Sequence, residues 1–164
     1  MNRPALSLSL LALVLTAALC CFLPAKSPPE RRPAASFQAG AVVVDVTPQQ
    51  FPVIVNGGFQ SNTMDKVKTP LKARALALSD GRTTAVIVVV DSCMMPRPLL
   101  DEVKKNASKA TGIPGDRIMI SATHTHSAGS CMGGLGTPPD PNYVPFLKKR
   151  LVLAIERVVK DLRP

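Results

Sequence analysis

The sequence has 164 residues, a formal net charge of +9, one tyrosine and no tryptophan. A chain of this length holds at most one ordinary hydrophobic core. The lysines and arginines are scattered over several predicted elements, and aromatic surface for stacking bases is almost absent, which argues against nucleic-acid binding. Attraction of this basic surface to an anionic membrane remains compatible with the composition.

Residues 1–25 have the pattern of an export signal. Arg3 gives a short basic start, and the stretch from Leu6 to Leu23 consists almost entirely of Leu, Ala, Val, Cys and Phe. The apolar run is short for a permanent membrane span. We therefore expect a signal peptide and an exported protein, periplasmic or extracellular, with an uncleaved N-terminal membrane anchor as the alternative.

A proline-rich segment separates this leader from the rest of the chain. Residues 26–36 carry prolines and charges without apolar periodicity, which predicts an extended linker. The folded domain is then expected over residues 37–164.

The domain alternates predicted strands with predicted helices. Runs of β-branched and apolar residues predict strands, and apolar residues at helical spacing predict helices. In chain order we expect strands at Ala41–Val46, Phe51–Val55, Ala73–Leu78 and Thr83–Val90, a helix at Pro98–Ala110, a strand at Arg117–Ser121 and a helix at Pro145–Asp161. This order predicts an α/β fold with mixed sheets covered by helices.

The two histidines of the chain, His124 and His126, follow the last predicted strand. Side chains alternate along a strand, so both imidazoles are expected on one side at its carboxyl end. Two such imidazoles can share a divalent metal such as zinc, although a zinc site needs three or four ligands. The alternatives are one ligand with a hydrogen-bonded neighbour, or two ordinary polar residues at a strand end.

Asp91 ends the strand Thr83–Val90. A carboxylate at the carboxyl end of a strand faces the crevice where ligands bind in α/β sheets. If this strand neighbours the one before the histidines, Asp91 could orient an imidazole or bind the metal, and we include it with the candidate catalytic residues. The equally weighted alternative is an aspartate that caps a loop through backbone amides.

Cysteines and glycines near these residues leave several interpretations open. Outside the leader the chain has Cys93 and Cys131, for which we expect free thiols first, a disulfide second and metal ligation, by Cys131 beside the histidines, third. Gly57-Gly58 predicts a tight turn or a close approach of substrate to the backbone. The glycine-rich residues 128–136 could supply N–H donors to an oxyanion or form a flexible loop.

Five stretches together resemble the neutral (alkaline, non-lysosomal) ceramidase family. They are the histidine motif Ser121–Ser127 and the segments Ala39–Pro48, Lys72–Gly81, Ala85–Asp91 and Ala110–Ser121. They occur in the order and approximate spacing of that family, and they cover the chain from about Ala39 to Gly129. The resemblance implies the N-terminal portion of a larger catalytic domain.

The resemblance implies zinc-dependent hydrolysis of the N-acyl amide of ceramide-like lipids. It assigns His124 to the metal, and it gives His126 the positioning of substrate or of the zinc-bound water. The remaining ligands of that family are a distant histidine, a glutamate and a tyrosine, which would lie after Pro164. We therefore expect this chain to be one part of a longer product and inactive alone, with lipid as substrate and peripheral contact with a membrane surface.

Two other functions remain open from the sequence. One is a non-catalytic exported α/β domain that lacks a complete metal site. The other is a different secreted metallohydrolase, because paired histidines after a strand also occur in other metal-dependent hydrolase folds.

Overall fold

The computed structural model describes residues 36–164, so the predicted signal peptide and nearly all of the predicted linker lie outside the described residues. The described part contains six strands, two α-helices and one short 3₁₀ turn. In chain order these are β1 (Gln38–Asp45), β2 (Val53–Val55), β3 (Asn62–Met64), β4 (Lys72–Ser79), β5 (Thr84–Val90), α1 (Arg97–Thr111), the 3₁₀ turn Gly115–Arg117, β6 (Ile118–Ala122) and α2 (Tyr143–Lys160).

Four of the strands form one mixed sheet in the order β1-β4-β5-β6. The pairs β1–β4 and β4–β5 are antiparallel, and β5–β6 is parallel, with α1 in the connection between those two strands. Strands β2 and β3 form a separate antiparallel pair. Since β5 and β6 run in the same direction, the loops that follow them leave from the same edge of the sheet.

One face of the four-stranded sheet is covered by helices. Helix α2 lies against β1, β4 and β5, and α1 packs on α2. The side chains of Val86, Val88 and Val90 are buried on this face. On β1, Val44 is 1% exposed and its neighbour Val43 is 61% exposed, as the alternation of side chains in a strand requires.

The ends of α1 follow from local chemistry. Pro98 lies in the first turn, where its missing N–H costs no helical hydrogen bond. Gly112 closes the helix with φ 74°, and its N–H donates to the Ser108 carbonyl at 2.9 Å. Among the described residues, no helix is both long and apolar enough to cross a bilayer.

The α/β class predicted from the sequence is confirmed, and the predicted elements are present with ends shifted by up to three residues. The largest shift at a strand is in β1, which begins at Gln38, three residues before the predicted Ala41. Strand β2 begins at Val53 and not at Phe51 because Pro52 has no N–H to donate. Strand β3 was not predicted. All three of its residues are exposed, so it has no alternation of apolar and polar side chains to reveal it.

Candidate functional site

His124 and His126 lie immediately after β6, at the edge where β5 also ends. The parallel pairing continues past the strands, because the Thr123 N–H donates to the Val90 carbonyl at 2.9 Å and the Thr125 N–H to the Ser92 carbonyl at 3.1 Å. The two imidazole centroids are 4.7 Å apart, with the ring planes at 73°. Both histidines are exposed.

The ring of His124 is held by the backbone of the neighbouring loop. Its Nδ1 lies 3.0 Å from the Cys93 carbonyl oxygen. A carbonyl only accepts hydrogen bonds, so this contact assigns the proton to Nδ1 and leaves the lone pair on Nε2. A metal-binding histidine is commonly fixed in this way, by donating its second ring N–H to a carbonyl.

The backbone of His124 is in the left-handed region, with φ 65°. Few non-glycine residues adopt this conformation, which costs on the order of 1 kcal/mol or more. Such conformations persist where surrounding contacts enforce them, and here the hydrogen bonds of Thr123 and Thr125 fix the chain on both sides. The conformation is therefore imposed by the pairing of this loop with the end of β5.

The thiol of Cys93 lies close to the two histidines. Its Sγ lies 3.9 Å from His124 Nδ1, and one donor atom from each of Cys93, His124 and His126 lies within 4.8 Å of the others. The thiol is buried while the histidines are exposed, and this burial raises the pKa of Cys93. Two imidazole nitrogens and one sulfur form a donor set that suits zinc.

Cys131, the cysteine that the sequence placed beside the histidines, is held elsewhere. Its Sγ lies 3.5 Å from Ser92 Oγ and donates to the Gly129 carbonyl at 3.4 Å. Burial raises the pKa of this thiol to about 11. Both Cys93 and Cys131 are free in the structure.

Asp91 follows β5, but its carboxylate contacts β4. One oxygen accepts from the Lys72 backbone N–H at 2.9 Å, and the other pairs with Arg74 Nη1 at 2.9 Å. This is the arrangement of a capping aspartate, and the group that orients the His124 ring is the Cys93 carbonyl. Asp91 does line the cavity described below.

Gly57 lies directly against His126. A Cβ at position 57 would lie 2.6 Å from His126 Cβ and 2.7 Å from His126 Cα, and the φ of Gly57 is 118°. Only glycine combines this conformation with such a close approach. The sequence predicted a turn or an approaching substrate at Gly57-Gly58, and the group that approaches Gly57 is the backbone of His126.

A cavity of about 500 Å³ lies beside the histidine loop. Thr125, Ser127 and Gly129 line it, whereas neither histidine does. Successive residues of the loop therefore face two different sides. Most of the other lining residues are apolar, and two lysines, two threonines and Asp91 are among them: Thr47, Pro48, Phe51, Val53, Val55, Met64, Lys66, Val67, Lys68, Thr69, Pro70, Leu71 and Asp91.

Buried polar contacts fix the loops that carry these residues. The Asp140 carboxylate accepts from the backbone N–H groups of Ile54, Asn142 and Tyr143 at 2.8–2.9 Å. Asn56 Nδ2 donates to the Met132 carbonyl at 2.8 Å. The sequence analysis missed both residues, although an aspartate shortly before the amphipathic helix α2 is a helix-start signal that could have indicated Asp140.

Several backbone N–H groups of the glycine-rich loop, residues 128–136, donate hydrogen bonds to carbonyl groups of the protein. The Ser130 N–H donates to the Ile54 carbonyl at 2.7 Å, and Gly134 and Thr137 exchange two backbone hydrogen bonds. Gly129 is fixed by packing, because a Cβ there would lie 2.5 Å from the ring of the buried Tyr143. These N–H groups therefore stabilise the loop.

Comparison with known proteins finds matches among solved structures and none by sequence. No protein-family profile matches the sequence, and no curated protein matches it. Among matching solved structures are the neutral ceramidase from Pseudomonas aeruginosa, with a TM-score of 0.67, and a ceramidase complexed with C2, with a TM-score of 0.66. Each is 20% identical to this chain, and each match covers 78% of this chain and 22% of the other.

This likeness shows that the chain has the fold of a segment of neutral ceramidase. The chain spans about a fifth of the length of these two proteins, 22% in each case. The resemblance predicted from the histidine motif and the flanking stretches is therefore confirmed at the level of fold.

Proposed function

We propose that this chain forms the metal-binding, N-terminal part of a zinc-dependent amide hydrolase that cleaves the N-acyl bond of ceramide-like lipids. The arrangement around His124 carries the proposal. Its Nδ1 proton is directed at the Cys93 carbonyl, its Nε2 is free, and the ring of His126 is 4.7 Å away. The shared fold with neutral ceramidase supports the substrate class.

The two histidines have different parts in this proposal. Zinc, when bound, supplies a Lewis acid that polarises the amide carbonyl and activates a water for attack. His124 offers Nε2 as a ligand. His126 is exposed beside it and orients the attacking water or the substrate amide, which needs a ring within hydrogen-bond reach of the reacting group.

The cavity beside the histidine loop supports a lipid substrate. Concave sites for small molecules are mostly apolar with a few polar groups that fix orientation. Phe51, Val55 and Leu71 provide apolar lining for an acyl chain. Thr125 and Asp91 provide polar groups for the hydroxyls of the lipid, so Asp91 contributes to substrate contact and not to the metal.

Exposed residues around β3 support contact with a membrane surface. Phe59 is 88% exposed and Val67 is 43% exposed. Lys66 and Lys68 flank Val67 and are also exposed. Apolar side chains that enter the headgroup region, together with cations that attract anionic lipid, are the two usual components of peripheral membrane binding.

We further propose that the protein is exported through its first 25 residues, and that the remaining metal ligands of the resemblance come from a longer product or a partner chain. The intact mass of the native product in the exported fraction of its source tests this directly. A mass well above 17.4 kDa, with peptides covering Ser121–Gly129, supports a longer enzyme. A mass equal to this chain without its leader, and no partner recovered with it, favours the non-catalytic domain.

The native product is then tested for chemistry with His124→Ala, His126→Ala and, as a control on the strand that precedes the histidines, Met119→Ala, a residue that is 52% exposed. Bound zinc and release of fatty acid from an N-acylsphingosine are measured in each. We expect His124→Ala to lose both, and His126→Ala to lose about 10²–10⁴-fold in rate while it still binds zinc, with an affinity lowered by about tenfold or somewhat more. Met119→Ala should retain both properties.

The results separate the competing functions. Zinc retained in His124→Ala would contradict the proposed metal site. If zinc binds through His124 but no fatty acid is released from any N-acylsphingosine, the ceramide-like substrate is wrong. The result would then favour a metallohydrolase that acts on another class of substrate.

A further inference from the structure

The face of the four-stranded sheet opposite the helices is apolar over most of its area. Side chains alternate along each strand, and the register of the strand pairs brings those that point away from the helices into one layer. Ala41, Leu76, Ile87 and Met119 form a row across all four strands. The apolar residues on this side are Ala39, Ala41, Val43, Leu76, Leu78, Ala85, Ile87, Val89 and Met119.

This open face is accessible to solvent. Val43 is 61% exposed, Met119 is 52% exposed and Leu76 is 39% exposed. A sheet with one face in water usually has polar residues on that face, whereas a run such as Ala85–Val90, which is apolar at every position, is typical of a sheet covered on both faces. The sequence therefore specifies a sheet with two covered faces, and residues 36–164 cover one of them.

The polar residues on this side lie at the carboxyl edge of β5, and their charges are already paired. Lys72 Nζ lies 2.6 Å from the Asp45 carboxylate, and Arg74 Nη1 lies 2.9 Å from the Asp91 carboxylate. Ser121 is the uncharged polar residue that the strands present there. Whatever covers the face therefore needs apolar side chains and brings no compensating charge.

The two edges of the sheet also differ. At β1, the backbones of Ala39 and Arg163 exchange hydrogen bonds of 2.9 and 3.1 Å. At β6, no strand within residues 36–164 pairs with the outer edge. The strand Ile118–Ala122 contains no charged residue and no proline, which are the features that usually keep an exposed edge from pairing. The outer edge of β6 is therefore open to a further strand.

We propose that the open face and the outer edge of β6 form an internal interface of a longer product. Polypeptide outside this chain packs an apolar layer on the face and adds a strand to β6. The inference rests on the longer product proposed above. The match to each solved ceramidase covers 22% of that protein, so a large further part, able to supply both elements, is present in proteins that share this fold.

The geometry favours this occupant over a second copy of the chain or a lipid surface. Two copies joined at β6 would continue one sheet, so their open faces would lie side by side and stay uncovered. Two copies packed face to face would leave both β6 edges unpaired. The hydrocarbon of a lipid surface offers no hydrogen bonds to the backbone of β6.

The test uses the native product with photo-methionine, a cross-linking analogue of similar shape, in place of methionine. Met119 lies in the row that crosses the open face. After irradiation we expect cross-links from Met119 to peptides of the same product that lie outside residues 1–164. A mixture of isotope-labelled and unlabelled product identifies links between copies. Links from Met119 only to a second copy, to a separate protein, to lipid or to water would overturn the proposal.

Two measurements on the unsubstituted native product test the cover itself. We expect dilute peroxide to oxidise Met119 at least about tenfold more slowly than in the urea-unfolded product, whereas an open face would give nearly equal rates. We expect every backbone amide of Ile118–Ala122 to be protected from hydrogen exchange, since N–H groups alternate between the two edges of a strand. Rapid exchange at alternate amides would contradict the added strand.

The results distinguish this inference from the proposed function. Met119 lies near the start of β6 and His124 lies beyond its other end, so cover of the face does not require the metal. Cross-links from Met119 to further polypeptide in a product that binds no zinc would support this inference and contradict the proposed function. Zinc binding and release of fatty acid by a product whose Met119 oxidises rapidly would support the function and contradict this inference.

Discussion

The helix-covered sheet and the loops at its carboxyl edge are held together by different interactions. The interior between the sheet and the helices is filled by apolar side chains, such as Val88, Leu151 and Ile155. Among the buried polar side chains of residues 36–164, Ser79 alone lies in a strand, and the others lie in loops: Thr47, Asn56, Ser92, Ser130, Thr137 and Asp140.

This difference separates stability from the geometry of the site. Apolar contacts are non-directional and tolerate small shifts, so they specify that a sheet and its helices pack together. Hydrogen bonds require a particular distance and angle, so they specify where a loop lies. His124 is held by contacts of the second kind, from the Cys93 carbonyl and from the backbone hydrogen bonds of Thr123 and Thr125, whereas His126 packs closely against Gly57.

Substitution of Asp140 is expected to have the largest effect on the free energy of unfolding. It is 4% exposed, and its carboxylate accepts hydrogen bonds from the backbone of Ile54, Asn142 and Tyr143. Asp140→Ala leaves these three N–H groups without their acceptor, and we expect the free energy of unfolding to fall by about 3 kcal/mol. Urea denaturation followed by circular dichroism measures this change.

The exposed Asp116 provides the control for Asp140. Asp116→Ala removes the same carboxylate from an exposed position in the 3₁₀ turn and should change stability by less than about 0.5 kcal/mol. If the free energy of unfolding falls equally in the two variants, the loss of a carboxylate destabilises the protein wherever it lies. The buried hydrogen bonds of Asp140 would then have no special role in fixing the loops.

The helix-covered sheet was largely predictable from the sequence, and the loops were not. Runs such as Val86–Val90 reveal burial because a regular element repeats its environment every two or four residues. The contact between Asp140 and the Ile54 N–H joins residues that are 86 positions apart. Asp140 lies in an irregular segment, whose sequence has no periodic pattern from which the contact could be predicted.

The candidate site shows the same division. The sequence predicted the adjacency of His124 and His126 from a spacing of two after a strand, although His124 has a left-handed backbone in the loop that follows β6. The position of Cys93 depends on how the loop after β5 turns back towards His124, and sequence reasoning considered Cys131 instead. Asp91 was placed correctly at the strand end, but its contacts with Lys72 and Arg74 follow from the pairing of β4 with β5, which the sequence does not specify in register.

Gly57 tests how closely the site depends on its loops, with a smaller expected effect on stability. Gly57→Ala places a methyl group 2.6 Å from His126 Cβ on a backbone with φ 118°. We expect a loss of about 2 kcal/mol in the free energy of unfolding and displacement of His126, with metal affinity reduced by about tenfold. Denaturation and zinc titration give the two values.

The adjacent Gly58 is a matched control for Gly57. A Cβ at position 58 would lie 3.5 Å from the Gln60 carbonyl oxygen, which is an ordinary contact. The φ of Gly58 also lies outside the left-handed region that favours glycine. Gly58→Ala should therefore leave stability within about 0.5 kcal/mol of the unmodified protein and metal affinity unchanged. If Gly57→Ala also keeps its metal affinity, His126 does not depend on this contact.

The smallest effect is expected at Asp45, where a polar contact is exposed. Lys72 Nζ lies 2.6 Å from the carboxylate, and this hydrogen bond, with those from Thr47, lowers the pKa of Asp45 from 3.8 to about 2. A lowered pKa in the folded state means that the ionised form stabilises the protein above pH 3.8 and that this contribution is lost as the pH falls towards 2.

The side chain of Asp45 is 43% exposed, so solvent screening limits this contribution to less than about 1 kcal/mol. Unfolding free energies of the unmodified protein and of Asp45→Asn, measured at several pH values between 5 and 2, should converge as the pH falls, and added salt should reduce their difference. A constant difference across this range would show that the ionised carboxylate contributes nothing. The polar contacts of this edge would then stabilise the protein only where they are buried, as at Asp140.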